Sequence, residues 1–191
     1  MCLKGKVVFF ATTNCHKFNE ACQVFAEYGV AVAMLKIGAI EIQHDNPEEI
    51  AKFSVREAVD KSGLPLFVED AGLSIEALKG FPGPYSSYVH QTLGTKGVLK
   101  LIEGYTKRNA HFYSVIAFSS PERASPKCFQ GKIEGKISSD ERGNQGFGFD
   151  PIFEPKGGSR KTFAEMTTIE KNKLSHRAQA LRKFVTWYKS T

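Results

Sequence analysis

The chain has 191 residues, 41% of them hydrophobic, with 26 Lys and Arg against 20 Asp and Glu and a formal net charge of +6. That length and apolar content support one domain with its own core, without disulfide or metal staples. The basic residues are dispersed, with no run of four or more, which disfavours a nucleic-acid stripe and leaves a basic cleft for a polyanionic small molecule or a merely basic surface.

Residues 6–11 (KVVFFA) form a β-branched and aromatic run that predicts a buried strand. The polar turn Thr12-Thr13-Asn14 follows. Phe18, Ala21, Val24, Phe25 and Tyr28 recur at helical spacing and predict a helix over 15–28, stopped by Gly29. A second strand is expected over 30–35. Pro47 opens a helix at its first turn, with Ile50, Phe53, Ala58 and Val59 facing inward. A third strand, 64–68, runs straight into Glu69-Asp70. This alternation means an α/β fold with a partly parallel sheet.

The middle of the chain changes character. Gly80-Phe81-Pro82-Gly83-Pro84 is a stiff, broken loop, and a helix is expected around 96–103. Segments 110–119 and 127–138, joined by a turn at 121–126, read as an antiparallel hairpin. The expected architecture is therefore a long mixed β-sheet flanked by helices, with two lobes and a deep active-site cleft between them. No linker separates independent domains, so residues 1–191 read as a single domain.

Near the C-terminus, Thr167 and Glu170 have capping-box spacing. Ser175 can cap a further helix whose inner stripe is Ala178, Leu181, Val185 and Tyr188. On one continuous helix Lys171 and Arg177 would lie roughly 240° apart. A break at 172–175 lets both face one cleft.

The cysteines at 2, 15, 22 and 128 have no C-x-x-C spacing, so free thiols in a reducing cytosol are expected. No apolar stretch approaches the ~18–20 residues that span a bilayer, and MCLKGK lacks the apolar segment of a signal peptide. The reading is a cytoplasmic protein with neither membrane nor nucleic-acid partner.

Four segments carry chemistry, each with a plainer alternative. Thr12-Thr13-Asn14-Cys15-His16-Lys17, between strand and helix, offers amides, hydroxyls and a cation to a phosphate; ordinary helix capping is the alternative. Glu69-Asp70 follows an apolar strand, where open α/β sheets place ligands, and two adjacent acids invite a cation such as Mg²⁺; the alternative is a solvated turn. Glu41 is a further candidate ligand, weak by spacing alone. In the segment from Gly143 to Pro151 the glycines let backbone approach a flat ligand, Phe147 or Phe149 can stack on a base, and Asp150 can accept from a ring N–H; the alternative is a turn with core aromatics. Lys171 can pair with phosphate, and His176 with Arg177 can donate to base carbonyls; the alternative is a surface helix. A basic first turn opposes the helix dipole, which favours a ligand role.

In this order and spacing the segments resemble the inosine triphosphate pyrophosphatase family, the XTP/dITP pyrophosphatases. The motifs are TTNCHK (12–17), EDAGLSIEALKGFPGPYSSY (69–88), GFGFDPIF (146–153), KTFAEMT (161–167) and EKNKLSHRAQAL (170–181). The resemblance implies a Mg²⁺-dependent homodimer that hydrolyses ITP, dITP and XTP to monophosphate and pyrophosphate. It implies that Thr12, Thr13, Asn14 and Lys17 grip the triphosphate and that Asp70 is the catalytic acid. Glu41 and Asp70 would be Mg²⁺ ligands, with Glu69 as a further possibility. Phe147, Gly148, Phe149 and Asp150 would hold the base, Lys171 would contact phosphate or base, and His176 and Arg177 would read the purine edge. Ala71, at a substrate-binding position, stands where Ser or Thr is common and brings no hydroxyl; Phe149 replaces a Tyr or Trp. The implied step is attack of water at the α-phosphorus. Its rivals are a nucleic-acid-binding module and a pyrophosphatase for pyrimidine triphosphates.

Overall fold

A computed structural model describes residues 6–38 and 42–191. The regular elements are β1 (Val7–Ala11), α1 (Cys15–Ala26), β2 (Ala31–Leu35), α2 (Pro47–Ser62), β3 (Leu66–Ile75), α3 (Ser86–Thr92), α4 (Gly94–Leu101), β4 (Asn109–Ser119), β5 (Lys127–Ile137), β6 (Phe153–Pro155), α5 (Thr168–Leu174) and α6 (His176–Ser190). The strands form one sheet in the order β2-β1-β3-β4-β5-β6. β1 runs parallel to β2 and to β3, in register at Phe10↔Met34 and Phe10↔Phe67. β5 and β6 are antiparallel. The connection between neighbouring strands β4 and β5 spans only residues 120–126, too short for a parallel crossover. The sheet is mixed, as the hairpin pattern implied.

The chain divides into two compact units. The first comprises Met1–Asp70, Val115–Gln130 and Ala178–Thr191; the second comprises Ala71–Ser114 and Gly131–Arg177. In the first unit strand alternation sorts the core into two layers. Val8, Phe10, Phe67, Ile116 and Phe118 pack with Val24 and Phe25 of α1 and Leu181, Phe184 and Val185 of α6. Their neighbours Ala11, Leu66, Val68, Val115 and Ala117 pack with Ala51, Val55, Ala58 and Val59 of α2. The rings of Phe10 and Phe67 stack at 4.4 Å. The second unit has its own core of Leu73, Ile75, Val98, Ile102, Phe112, Ile152, Phe153 and Phe163, among others.

Two readings need correction, and one helix is not read from the sequence at all. Phe53 is 36% exposed rather than inward. The buried stripe of α2 is Ile50, Ala51, Ser54, Val55, Ala58 and Val59, and at 100° per residue Phe53 lies roughly 150° from its centre. β3 does not stop at Val68 but continues through both acids to Ile75. α3 has no strong sequence signal, because Ser86–Thr92 carries only one buried apolar residue, Val89. The C-terminal reading agrees with the structure: Thr167 caps α5 in a full capping box, and Ser175 is extended (φ −64°, ψ 148°) between α5 and α6. Cys15, Cys22 and Cys128 are free thiols.

Candidate active site

In the first unit the chain leaves β1 at Ala11 and enters α1 at Cys15. Asn14 is the N-cap: its Oδ1 accepts from the amides of His16 (2.9 Å) and Lys17 (3.1 Å). Thr12 Oγ1 accepts from the Asn14 amide at 3.1 Å. Helix capping is thus real, but it does not exhaust the turn. The amides of Thr13 and Cys15 and the Asn14 side-chain nitrogen donate to no protein acceptor among the described residues. Those donors stand at the positive end of α1, where an anion is stabilised.

Lys17 reaches from the first turn of α1 to β3. Its Nζ donates to the Glu69 carbonyl at 3.1 Å and forms an ion pair with Glu69 Oε2 at 2.9 Å. An ammonium has three N–H donors, and the Glu69 carbonyl takes one of them. The Glu69 side chain is fully buried. From the pair Phe10↔Phe67, counting on two residues sets Glu69 level with Thr12. The acids therefore sit where the β1–β3 ladder ends, although β3 itself runs on. Adjacent residues of a strand point to opposite faces, so Glu69 and Asp70 do not share a ligand side. With Glu69 turned to Lys17, the described donor for a cation is Asp70. Among the described residues no group of three or more His, Cys, Asp or Glu could hold a metal, and Glu41 lies outside them. Mg²⁺ usually takes one or two carboxylates and completes its shell with water and substrate phosphates. A single Asp near a turn with open donors fits that habit; among the described residues there is no all-protein cage.

The second unit holds the other predicted residues. Ala71 follows Asp70 in β3 and is half-buried. Asp150 is 3% exposed, and its Oδ2 accepts from the Phe147 amide at 2.9 Å and from Lys171 Nζ at 2.6 Å. Gly146 is left-handed (φ +71°), and a Cβ there would fall on that same oxygen. Glycine at 146 thus allows the Gly146–Gly148 turn to wrap the carboxylate. Gly148 is also left-handed, at φ +63°. Lys171 Nζ lies 5.0 Å from the Phe147 ring centroid and 5.3 Å from that of Phe163, while the Arg177 guanidinium carbon lies 5.3 Å from Phe147. The break at Ser175 brings both cations to one ring, as the 240° argument required.

Phe147 and Phe149 are equivalent in sequence but not in place. Phe147 is half-buried between Lys171 and Arg177. Phe149 is a core ring, 3% exposed, with His90 edge-on at 5.3 Å. Of the two rings expected to stack on a base, Phe147 is the one with an accessible face. His176 is buried and stacks on Phe112 at 4.7 Å and 7°, so packing against Phe112 fixes its ring.

Ser86 was not anticipated. Buried beside β3, its hydroxyl accepts from the Leu73 amide (2.8 Å) and donates to the Gly83 carbonyl (2.7 Å). A Cβ at Gly72 would collide with that carbonyl and with the Tyr113 hydroxyl. Close approach at Gly72 pins the 83–86 turn two residues beyond Asp70. The signal in the sequence was the glycine after Asp70-Ala71.

The Ham1 family model matches residues 8–187 of this chain. The chain is similar to the dITP/XTP pyrophosphatase of Methanopyrus kandleri, 48% identical over 183 residues and 96% of each chain. It is 49% identical over 180 residues to the dITP/XTP pyrophosphatase of Thermococcus kodakarensis, covering 94% of this chain and 96% of that one. Among solved structures it superposes on a HAM1 protein from Coxiella burnetii with a TM-score of 0.84 at 30% identity, over 97% of this chain and 100% of that chain.

Proposed function

The chain belongs to the Ham1 family, and from that premise we propose that it hydrolyses the purine nucleoside triphosphates ITP, dITP and XTP to the monophosphate and pyrophosphate. The observation that carries the reading is the identity, over nearly the full length, with relatives named dITP/XTP pyrophosphatases. The geometry supports it. The turn before α1 keeps donors for phosphate beside Lys17 and Asp70, and Phe147 offers a ring to a base.

In this reading Asn14, the amides of Thr13 and Cys15, and Lys17 bind the triphosphate oxygens and stabilise charge that develops on them. Asp70 would hold Mg²⁺, which, when bound, neutralises phosphate oxygens and supports the pyrophosphate leaving group. Asp70 also orients the water that attacks the α-phosphorus and accepts its proton. Water and the triphosphate give the monophosphate and pyrophosphate, with the bond between the α-phosphorus and its bridging oxygen broken. Phe147 stacks on the purine. A homodimeric state and a cytoplasmic location belong to the same reading and are carried by the family resemblance. Among the described residues no helix is long and apolar enough to cross a membrane.

Arg177 reads the base edge. Inosine and xanthosine present O6 to a donor, whereas adenine presents N6–H₂, so two donors would face each other in a buried site. A mismatch of that kind costs about 1–3 kcal/mol, roughly ten- to a hundredfold. Arg177→Ala is therefore expected to lower the ratio of kcat/KM for ITP over ATP by about that factor. Equal losses on both substrates would assign Arg177 to phosphate. The activity itself is tested with a panel of purine and pyrimidine triphosphates and Mg²⁺, assaying pyrophosphate and orthophosphate separately. Pyrophosphate released preferentially from ITP, dITP and XTP is the expected result. Orthophosphate as first product, or a preference for UTP or dTTP, would overturn the proposal.

A further inference from the structure

The second unit has a cavity apart from the Phe147 site. Along β4 and β5, Ala110, Phe112 and Ile137 face the core while Asn109, Glu134 and Lys136 face the other way. Those polar residues, with Glu76, Glu154 and the segment 155–160, line a cavity of about 470 Å³, a volume within the range of small-molecule sites.

Its charges are unevenly engaged. Glu154 is held by Lys136 at 3.0 Å and Arg142 at 2.6 Å. Glu134 pairs with Lys132 at 2.8 Å, and that ammonium holds the Glu134 carboxyl below the ordinary carboxylate range. Glu76 accepts from Asn109 Nδ2 at 3.1 Å. Each carboxylate thus has a donor. Lys156 and Arg160, both exposed on the cavity wall, make no ion pair among the described residues. The lining balances Lys136, Lys156 and Arg160 against Glu76, Glu134 and Glu154; Lys132 and Arg142 behind it, with Glu165 at 3.6 Å from Arg142, bring the count to five cations and four carboxylates, so the positive charge open to a ligand is that of Lys156 and Arg160.

The wall is also held in shape. Arg142 donates to the Arg160 carbonyl at 3.0 Å, and the Gly158 and Lys161 amides close turns onto the carbonyls of Pro155 and Gly158. Ser159 and Arg160 are consecutive left-handed residues (φ 53° and 62°), a conformation that side chains other than glycine rarely adopt. In it their amides donate to no protein acceptor among the described residues.

We propose that this cavity is a second binding site, for a phosphate-bearing small molecule, in which Lys156 and Arg160 supply the charge and the Ser159 and Arg160 amides supply donors. Asn109 and Glu76, also in the lining, suit the hydroxyl or amino groups of a nucleotide.

The test is an amide NMR titration of the ¹⁵N-labelled chain with inorganic pyrophosphate and, separately, AMP, without divalent cations and at constant ionic strength. Saturable shifts at residues 157–160 are expected, and Lys156→Gln/Arg160→Gln should weaken them about tenfold or more while shifts at residues 12–17 persist. Tighter binding of AMP identifies a nucleotide ligand, and tighter binding of pyrophosphate an inorganic one. Shifts confined to residues 12–17, shifts reproduced by chloride, or shifts at 157–160 unchanged in the double variant would overturn the proposal. Both substituted side chains are exposed, so the variant keeps its fold.

Discussion

Asp70→Asn is expected to lower kcat on ITP by about 10²–10⁴-fold, the range associated with loss of a positioned acid–base group, while the protein stays folded. Asparagine keeps the shape and one acceptor oxygen but loses the negative charge and the basic site. Asp70 is half-buried at the end of the β1–β3 ladder, and Asn is nearly isosteric with it, so the packing around it is kept. Steady-state kinetics with circular dichroism as a fold control checks it; near-normal turnover would remove Asp70 from the reaction. The variant also separates two jobs that compete, since a carboxylate on Mg²⁺ has little basicity left. A defect that millimolar Mg²⁺ relieves assigns Asp70 chiefly to the metal. A defect flat in Mg²⁺ assigns it to the water.

The second large effect is on stability. Asp150 and Lys171 are each 3% exposed, joined at 2.6 Å. Lys171→Met keeps the apolar stem over Phe147 and Phe163 but takes the ammonium away from a buried carboxylate. Breaking one side of a buried pair typically costs about 3–5 kcal/mol, so the urea midpoint should fall sharply. Lys171→Met/Asp150→Asn removes the buried negative charge as well, and an Asn oxygen can still accept from the Phe147 amide. The double variant is therefore expected to recover much of the loss. A single variant that costs less than about 1 kcal/mol would show that the pair is dispensable.

Local rules read well where one chemical reason dominated. The β1 run, the Pro47 start, the capping box at Thr167 and Glu170, and the hairpin turn read at 121–126 each followed from a short pattern. The convergence of Lys171 and Arg177 on Phe147 followed from helix geometry once a break was placed at Ser175. What pattern could not separate was decided by packing. Phe147 and Phe149 alternate along one segment, and only the core of the second unit chooses which ring is buried. Phe53 fits an apolar count but not the stripe of α2. Glu69 and Asp70 look like a pair until strand alternation turns one toward Lys17. Ser86 had no signature of its own, because its partners are a backbone amide and a carbonyl.

The most direct measurement is the fate of solvent oxygen. Turnover of dITP in H₂¹⁸O with Mg²⁺, followed by mass spectrometry of both products, is expected to place one ¹⁸O in dIMP and none in pyrophosphate. Label in pyrophosphate would put the attack at the β-phosphorus, and orthophosphate as the first labelled product would contradict pyrophosphohydrolysis altogether.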